Sequence, residues 1–150
     1  RVMREHAVSL AGFAGTWRLT RRIHDRRGGA GGHFEGEARL TPGPGGAGLI
    51  YTEEGRLFLR DTPPLAATRR FLWHPAGDGG IAIAFDDGRP FHRIRPGALM
   101  PVDTHVCAAD LYQVEYDFRD WPAWAVTWRV VGPNKDYTLQ SRYTRDTPAP

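Results

Sequence analysis

The densest set of reactive side chains in this 150-residue sequence is His105-x-Cys107-x-x-Asp110-x-Tyr112. On a β-strand His105 and Cys107, as i and i+2, point to one face. A thiolate beside an imidazole is either a nucleophile with its base or part of a metal site. A structural zinc site wants four ligands, and only His105, Cys107, Asp110 and His92 offer themselves. The plainer alternative makes Cys107 a small packed residue and His105 a hydrogen-bonded one. No catalytic residue and no metal ligand set is assigned on this basis.

The second constellation is cationic. In Phe91-His92-Arg93 the His and the Arg lie on opposite faces of one strand, so only one of them can face a cavity. An inward Arg93 would anchor an anion, because a buried guanidinium needs a partner. The alternative is an internal salt bridge, for example to Glu115. Arg21 and Arg129 are the other anion contacts, and His105, Tyr112, Lys135 and Tyr137 are candidates for a pocket rim. Trp121, Trp124 and Trp128, with Tyr112, Tyr116, Phe118, Tyr137 and Tyr143, make the C-terminal third aromatic. Trp124, Val126, Trp128 and Val130 share a face, as barrel core or as a pocket wall with phenol hydroxyls to orient a ligand.

Several motifs are excluded. Glu53-Glu54 and Asp86-Asp87 are adjacent residues facing opposite ways, so neither pair is an acid/base dyad. Gly28 to Gly32 lacks the lysine and the following helix of a phosphate loop. Neither G-x-S-x-G nor H-E-x-x-H occurs.

The elements that must position these residues are strands. Gly (18) and Pro (12) together make a fifth of the chain, which points to a turn-rich β fold. Short runs of β character recur about every 10 residues between turn sequences, the pattern of a sandwich or barrel. The predicted strands are 17–24, 33–40, 49–59 (one strand or a bent pair, with Gly55 as a possible bulge), 67–74, 81–85, 90–95, 102–107, 111–118, 123–131 and 136–145. Only Glu5 to Phe13 has helical character, and Ser9 to Phe13 fits a single turn. An antiparallel meander of this length removes its exposed edges most simply by closing on itself, and eight to ten strands enclose room for one small ligand.

Length and composition fit one globular domain able to bury its own core. The reading divides the chain into an N-terminal extension (1–11), one barrel domain (12–146) and a frayed tail (147–150). No apolar run approaches the roughly 18 residues of a membrane helix. One cysteine excludes an internal disulfide framework. Of the 20 basic residues all but Lys135 are Arg, and against 17 acidic residues the net charge is +3, with no nucleic-acid recognition motif beside it. The cluster Arg18, Arg21, Arg22, Arg26 and Arg27 reads as a solvated face of the first hairpin. The lack of a signal-like segment in Arg1–Leu10 and the single free Cys107 both fit a cytoplasmic location.

The stretch Phe13-Ala14-Gly15-Thr16-Trp17, a short turn followed by G-x-W at the start of the first strand, resembles the calycin superfamily of lipocalins and fatty-acid-binding proteins. The resemblance implies that Trp17 sits at the closed end of a barrel and that an Arg from a late strand packs across it. Gly15, Trp17 and Arg142 are then the structural set, with Arg145 the alternative to Arg142. A narrower resemblance rests on Gly15–Leu19, Asp87-Gly88-Arg89-Pro90-Phe91-His92, His105–Tyr112, Trp128-Arg129 and Gly132–Tyr137. Over residues 12–145 these are similar to the bacterial domain of unknown function family 6314, with Ala109 where that family carries Pro. This second resemblance implies a compact calycin-like barrel and no particular chemistry.

The expected protein is therefore all-β, an antiparallel up-and-down calycin-like barrel of about 8–10 strands with a short N-terminal helical turn. Its expected role is to bind a small, partly apolar, anionic ligand, with contacts from Arg21, His92, Arg93, His105, Cys107, Tyr112, Arg129, Lys135 and Tyr137. Expected partners exclude nucleic acid and membrane. The alternatives are an enzyme using His105, Cys107 and Asp110, a haem-binding barrel with His92 or His105 as axial ligand, and a protein-interaction module on the Arg-rich hairpin. Haem aside, no cofactor is expected.

Overall fold

The computed structural model describes residues 8–28 and 31–145. They form ten strands preceded by a 3₁₀ turn, Leu10–Phe13. The strands are β1 (Gly15–Asp25), β2 (Gly32–Pro42), β3 (Leu49–Leu59), β4 (Leu65–Pro75), β5 (Ile81–Phe85), β6 (Pro90–Ile94), β7 (Val102–Cys107), β8 (Asp110–Asp117), β9 (Trp124–Gly132) and β10 (Lys135–Thr144). A second, three-residue 3₁₀ turn, Pro44–Gly46, joins β2 to β3. The tail expected at 147–150, and residues 5–7 of the predicted helical segment, lie outside the described residues.

All ten strands belong to one antiparallel sheet in the order β6-β5-β4-β3-β2-β1-β10-β9-β8-β7. Every neighbour in that order is also a neighbour in sequence, except that β1 pairs with β10. The sheet curls until its ends, β6 and β7, meet. No ladder joins these two. Instead the Arg93 backbone N–H donates to Asp103 Oδ2 at 2.7 Å. Behind it, His92 Nε2 on β6 meets the Tyr116 hydroxyl on β8 at 2.6 Å. Polar side chains thus close what backbone pairing leaves open.

The alternation of β1 sets its two faces. Trp17, Leu19 and Arg21 are buried, while Thr16, Arg18, Thr20 and Arg22 are exposed. The lower end is sealed by aromatics. The Phe13 ring meets those of Trp73, Phe118, Trp121 and Trp124 edge-on, with centroids 5.0–5.8 Å away. Trp17 Nε1 donates to the Phe13 carbonyl at 2.9 Å, which satisfies the buried indole. The cation across Trp17 is Arg145, not Arg142: its guanidinium lies 3.8 Å from the ring centroid. Arg145 also donates to the carbonyls of Ala14 and Gly12 at 2.9 Å each, tying the last strand to the entry turn. Arg142 is exposed on β10.

Residues 49–59 take the first of their two expected forms, and the bulge expected at Gly55 is corrected. β3 is a single strand, and Gly55 does not bulge but sits opposite Gly36 in a regular ladder. A Cβ on either would collide with the facing backbone, so these glycines mark a close approach of two strands. The irregularity lies between β5 and β6, where Ile83 faces His92 and Ala84 faces Pro90. The extra residue, Phe91, lets consecutive side chains, Phe91 and His92, both line the interior.

Candidate functional site

The barrel interior has two tiers. The inner cavity has about 80 Å³ of free space, room for a small group and no more. Above it opens a vestibule of about 860 Å³. Arg69, Phe71, Phe91, Tyr112 and Tyr137 line both, so the two spaces form one path from solvent to core.

A polar network occupies one wall. Arg21 on β1 makes a bidentate pair with Glu53 on β3, at 2.7 and 3.0 Å, and its Nε donates to Ser141 Oγ at 2.8 Å. The Tyr51 hydroxyl donates to Glu53 Oε1 at 2.6 Å and lies 2.7 Å from the Tyr143 hydroxyl. Arg69, on β4, donates from Nε to Glu53 Oε2 at 3.2 Å. Burial alone would raise the Glu53 carboxyl, but the Arg21 hydrogen bonds and the charges of Arg69 and Arg21 hold it at about 2. Burial likewise opposes the charge of Arg21, and the bond to Glu53 overcomes it and keeps the guanidinium protonated. Tyr51 and Tyr143 are pushed upward, chiefly by burial, and stay neutral phenols.

The wall therefore holds two guanidiniums and one carboxylate. No carboxylate besides Glu53 serves this wall, and burial, which lowers the His92 pKa to about 3, keeps that ring neutral, so the excess stands at one positive charge. Among the described residues the terminal nitrogens of Arg69 have no hydrogen-bonded partner, and its side chain is 43% exposed at the vestibule. Its guanidinium lies over the Phe71 ring. The opposite side is an aromatic ladder. Phe85 stacks on Phe91 at 4.4 Å, and Phe91 on Trp128 at 4.9 Å and 4°.

The expected site residues divide accordingly. Arg21, His92, Tyr112 and Tyr137 line the cavity, and His105 and Cys107 line the vestibule. Lys135 stands at the rim, donating to the Tyr112 hydroxyl at 3.0 Å and paired with Asp110 at 2.9 Å. Asp110 therefore answers to Lys135, and the expected His105/Cys107/Asp110 group is split. Arg93 and Arg129 do not reach the interior. Arg93 pairs with Asp78, not Glu115, at 2.8 Å on the outer surface, and Arg129 pairs with Asp136 at 2.7 Å. The Arg-rich hairpin is also divided, since Arg21 turns inward while Arg26 and Arg27 bond Thr138 Oγ1 and the Pro133 carbonyl. Among the described residues no group of three or more His, Cys, Asp and Glu is arranged to hold a metal. Of the two histidines named for haem, His92 is 7% exposed with Nε2 committed to Tyr116, in a space too small for a porphyrin. His105 faces the wider vestibule.

The sequence reading missed Glu53, Tyr51, Ser141 and Arg69. The signal for Glu53 is the β3 alternation, which runs Leu49, Tyr51, Glu53 along the inner face.

Fold and site together define a calycin-like β-barrel with an interior pocket open at one end. The chain belongs to the Family of unknown function (DUF6314), whose pattern matches residues 13–145. No curated protein matches it. Among solved structures it is similar to the S-type phycobiliprotein lyase CPES from Guillardia theta, with a TM-score of 0.62 at 11% identity over 97% of each chain. At that identity the likeness concerns the fold. No helix in the described residues is long and apolar enough to cross a membrane.

Proposed function

We propose that this barrel binds a small, flat, partly apolar anion, with its charged group at Arg69 and its apolar body along Phe71, Phe91 and Trp128. The observation that carries the reading is the imbalance of the buried network. Arg21 and Arg69 share the single carboxylate of Glu53. A second anion would complete the set, and the half-exposed Arg69 is the guanidinium free to take it. The aromatic ladder suits a planar body, because stacked rings bind a flat face with little loss of freedom. The likeness to a phycobiliprotein lyase supports this only as a fold suited to an interior ligand. Cys107 and His105 fall at the entrance, so this reading gives them contact with the ligand and no bond-making step.

Isothermal titration with 4-isopropylbenzoate and its neutral amide tests this. The benzoate should bind saturably, one per chain, and about tenfold tighter than the amide, equivalent to ~1.4 kcal/mol. In Arg69→Gln the two should bind alike. Equal binding to the unaltered protein would remove the anion site, and no binding of either would remove the pocket.

A further inference from the structure

The charged side chains along the path from solvent to the inner cavity are matched almost one to one. At the vestibule Arg70 Nε faces Asp86 at 3.0 Å, and Arg89 Nε donates to Asp87 Oδ2 at 2.7 Å. At the rim Lys135 is paired with Asp110. Asp103, at the β6–β7 seam, lines neither space and accepts from the backbone N–H groups of Arg93 and Thr104. These charges are answered where they stand. The exception is the inner wall, where Arg21 and Arg69 share Glu53.

One group presents that unanswered charge. Glu53 takes Arg69 only through Nε, which leaves the two terminal nitrogens as a fork for two oxygens of one acid group. A single negative charge there brings the site to neutrality. A second would find no unpaired cation among the described residues lining the path. It would also stand close to the Glu53 carboxylate, which Arg21 and Arg69 keep ionised. A charge drawn out of water without a counter-charge is costly.

We propose that the site selects for charge number: its ligands are aromatic acids bearing one negative charge, and phosphate monoesters, which bear two, are refused. This rests on the anion-binding reading above and names the acid class which that reading leaves open. The outline of the acid group is secondary, because the fork can engage two oxygens of a planar carboxylate or of a tetrahedral sulfonate.

The test is isothermal titration with 4-isopropylbenzoate, 4-isopropylbenzenesulfonate and 4-isopropylphenylphosphonate at pH 8.5, where only the phosphonate is a dianion. At one pH, His105 and Cys107, which also line the vestibule, bear the same charge toward every ligand. The sulfonate should bind within about threefold of the benzoate, and the phosphonate about tenfold more weakly than the sulfonate. In Glu53→Gln two cations stand unmatched, and the phosphonate should bind at least as tightly as the sulfonate. A deficit that persists in the folded variant would overturn the proposal. Should the variant fail to fold, the order of affinities in the unaltered protein decides by itself. A phosphonate that matches the sulfonate there would overturn the charge selection, although the anion site stands. Loss of sulfonate and phosphonate together, with the benzoate still bound, would overturn it too, since shape would then be what excludes them. If the benzoate does not bind, the anion site fails first and the selection falls with it.

Discussion

Arg21 reaches Glu53 across an intervening strand, β2, with its guanidinium over the Phe34 ring at 5.3 Å and only Gly36 and Ala38 on the rest of the way. On β2 the inner positions along that path are Phe34, opposite Arg21, then Gly36, opposite Leu19 and Gly55, and Ala38, opposite Trp17 and Glu53. A larger residue at 36 would also collide with the β3 backbone. Small residues on one strand thus permit a charged pair between its two neighbours.

That pair is nearly solvent-free, with side chains 8% and 2% exposed. Removing one partner from such a pair strands a buried charge, which costs about 3–5 kcal/mol. Glu53→Gln and Arg21→Met should each lower the unfolding free energy by roughly that amount in urea titrations. The double substitution Arg21→Met/Glu53→Leu should cost less than the two single losses combined, because neither charge is then left alone. Additive losses would show that the two residues are not coupled.

The strand pattern was largely legible because exposure alternates along most strands. Val102–Cys107 and Ile81–Phe85 have the bounds their residues predict, and β1 sets Arg21 beside Trp17 and Leu19 on the inner face. What escaped depends on partners far away in sequence. Nothing in Arg93 names Asp78 over Glu115, and nothing near Phe91 announces the extra residue that turns both it and His92 inward. The choice of Arg145 over Arg142 needed the register of β10 on β1 and the path of the chain beyond it.

Acid should unfold the protein in two stages. Burial lowers the His92 pKa from 6.5 to about 3, so between those values the unfolded chain binds a proton that the folded one refuses. Stability therefore falls as pH drops below 6.5, at up to about 1.4 kcal/mol per pH unit. Glu53 has the depressed value of an ionised acid, about 2 against 4.5. Its contribution is complete above 4.5 and is lost as pH falls toward 2. His92→Gln should abolish the first stage and keep the second. Urea midpoints at pH 7, 5.5, 4.5 and 3 check this; an unchanged slope in the variant above pH 4.5 would assign the first stage elsewhere.

Arg145→Ala and Arg142→Ala separate the two late arginines. The first removes a guanidinium from the Trp17 face and two hydrogen bonds to the entry turn. It should cost about 1–3 kcal/mol, and Arg142→Ala, at an exposed site, within about 0.5 kcal/mol of nothing. Thermal unfolding followed by tryptophan emission compares them. Equal losses would contradict the placement of Arg145.

Cys107 is exposed at the vestibule, on the same strand as His105. A thiol so placed should react fully with a disulfide reagent in the folded protein, without denaturant. The size of the adduct then tests the path to the cavity. The vestibule and the inner cavity share Arg69, Phe91 and Tyr112, so a bulky group on Cys107 stands over the entrance. A fluorescein maleimide adduct should weaken 4-isopropylbenzoate binding by about tenfold or more, the loss of ~1.4 kcal/mol of contact. A methylthio adduct should change it by less than about twofold, since so small a group blocks little of the opening. Unimpaired binding with the bulky adduct would mean that ligands enter elsewhere, and the seam between β6 and β7, closed by the Asp103 carboxylate rather than a ladder, would be the alternative door.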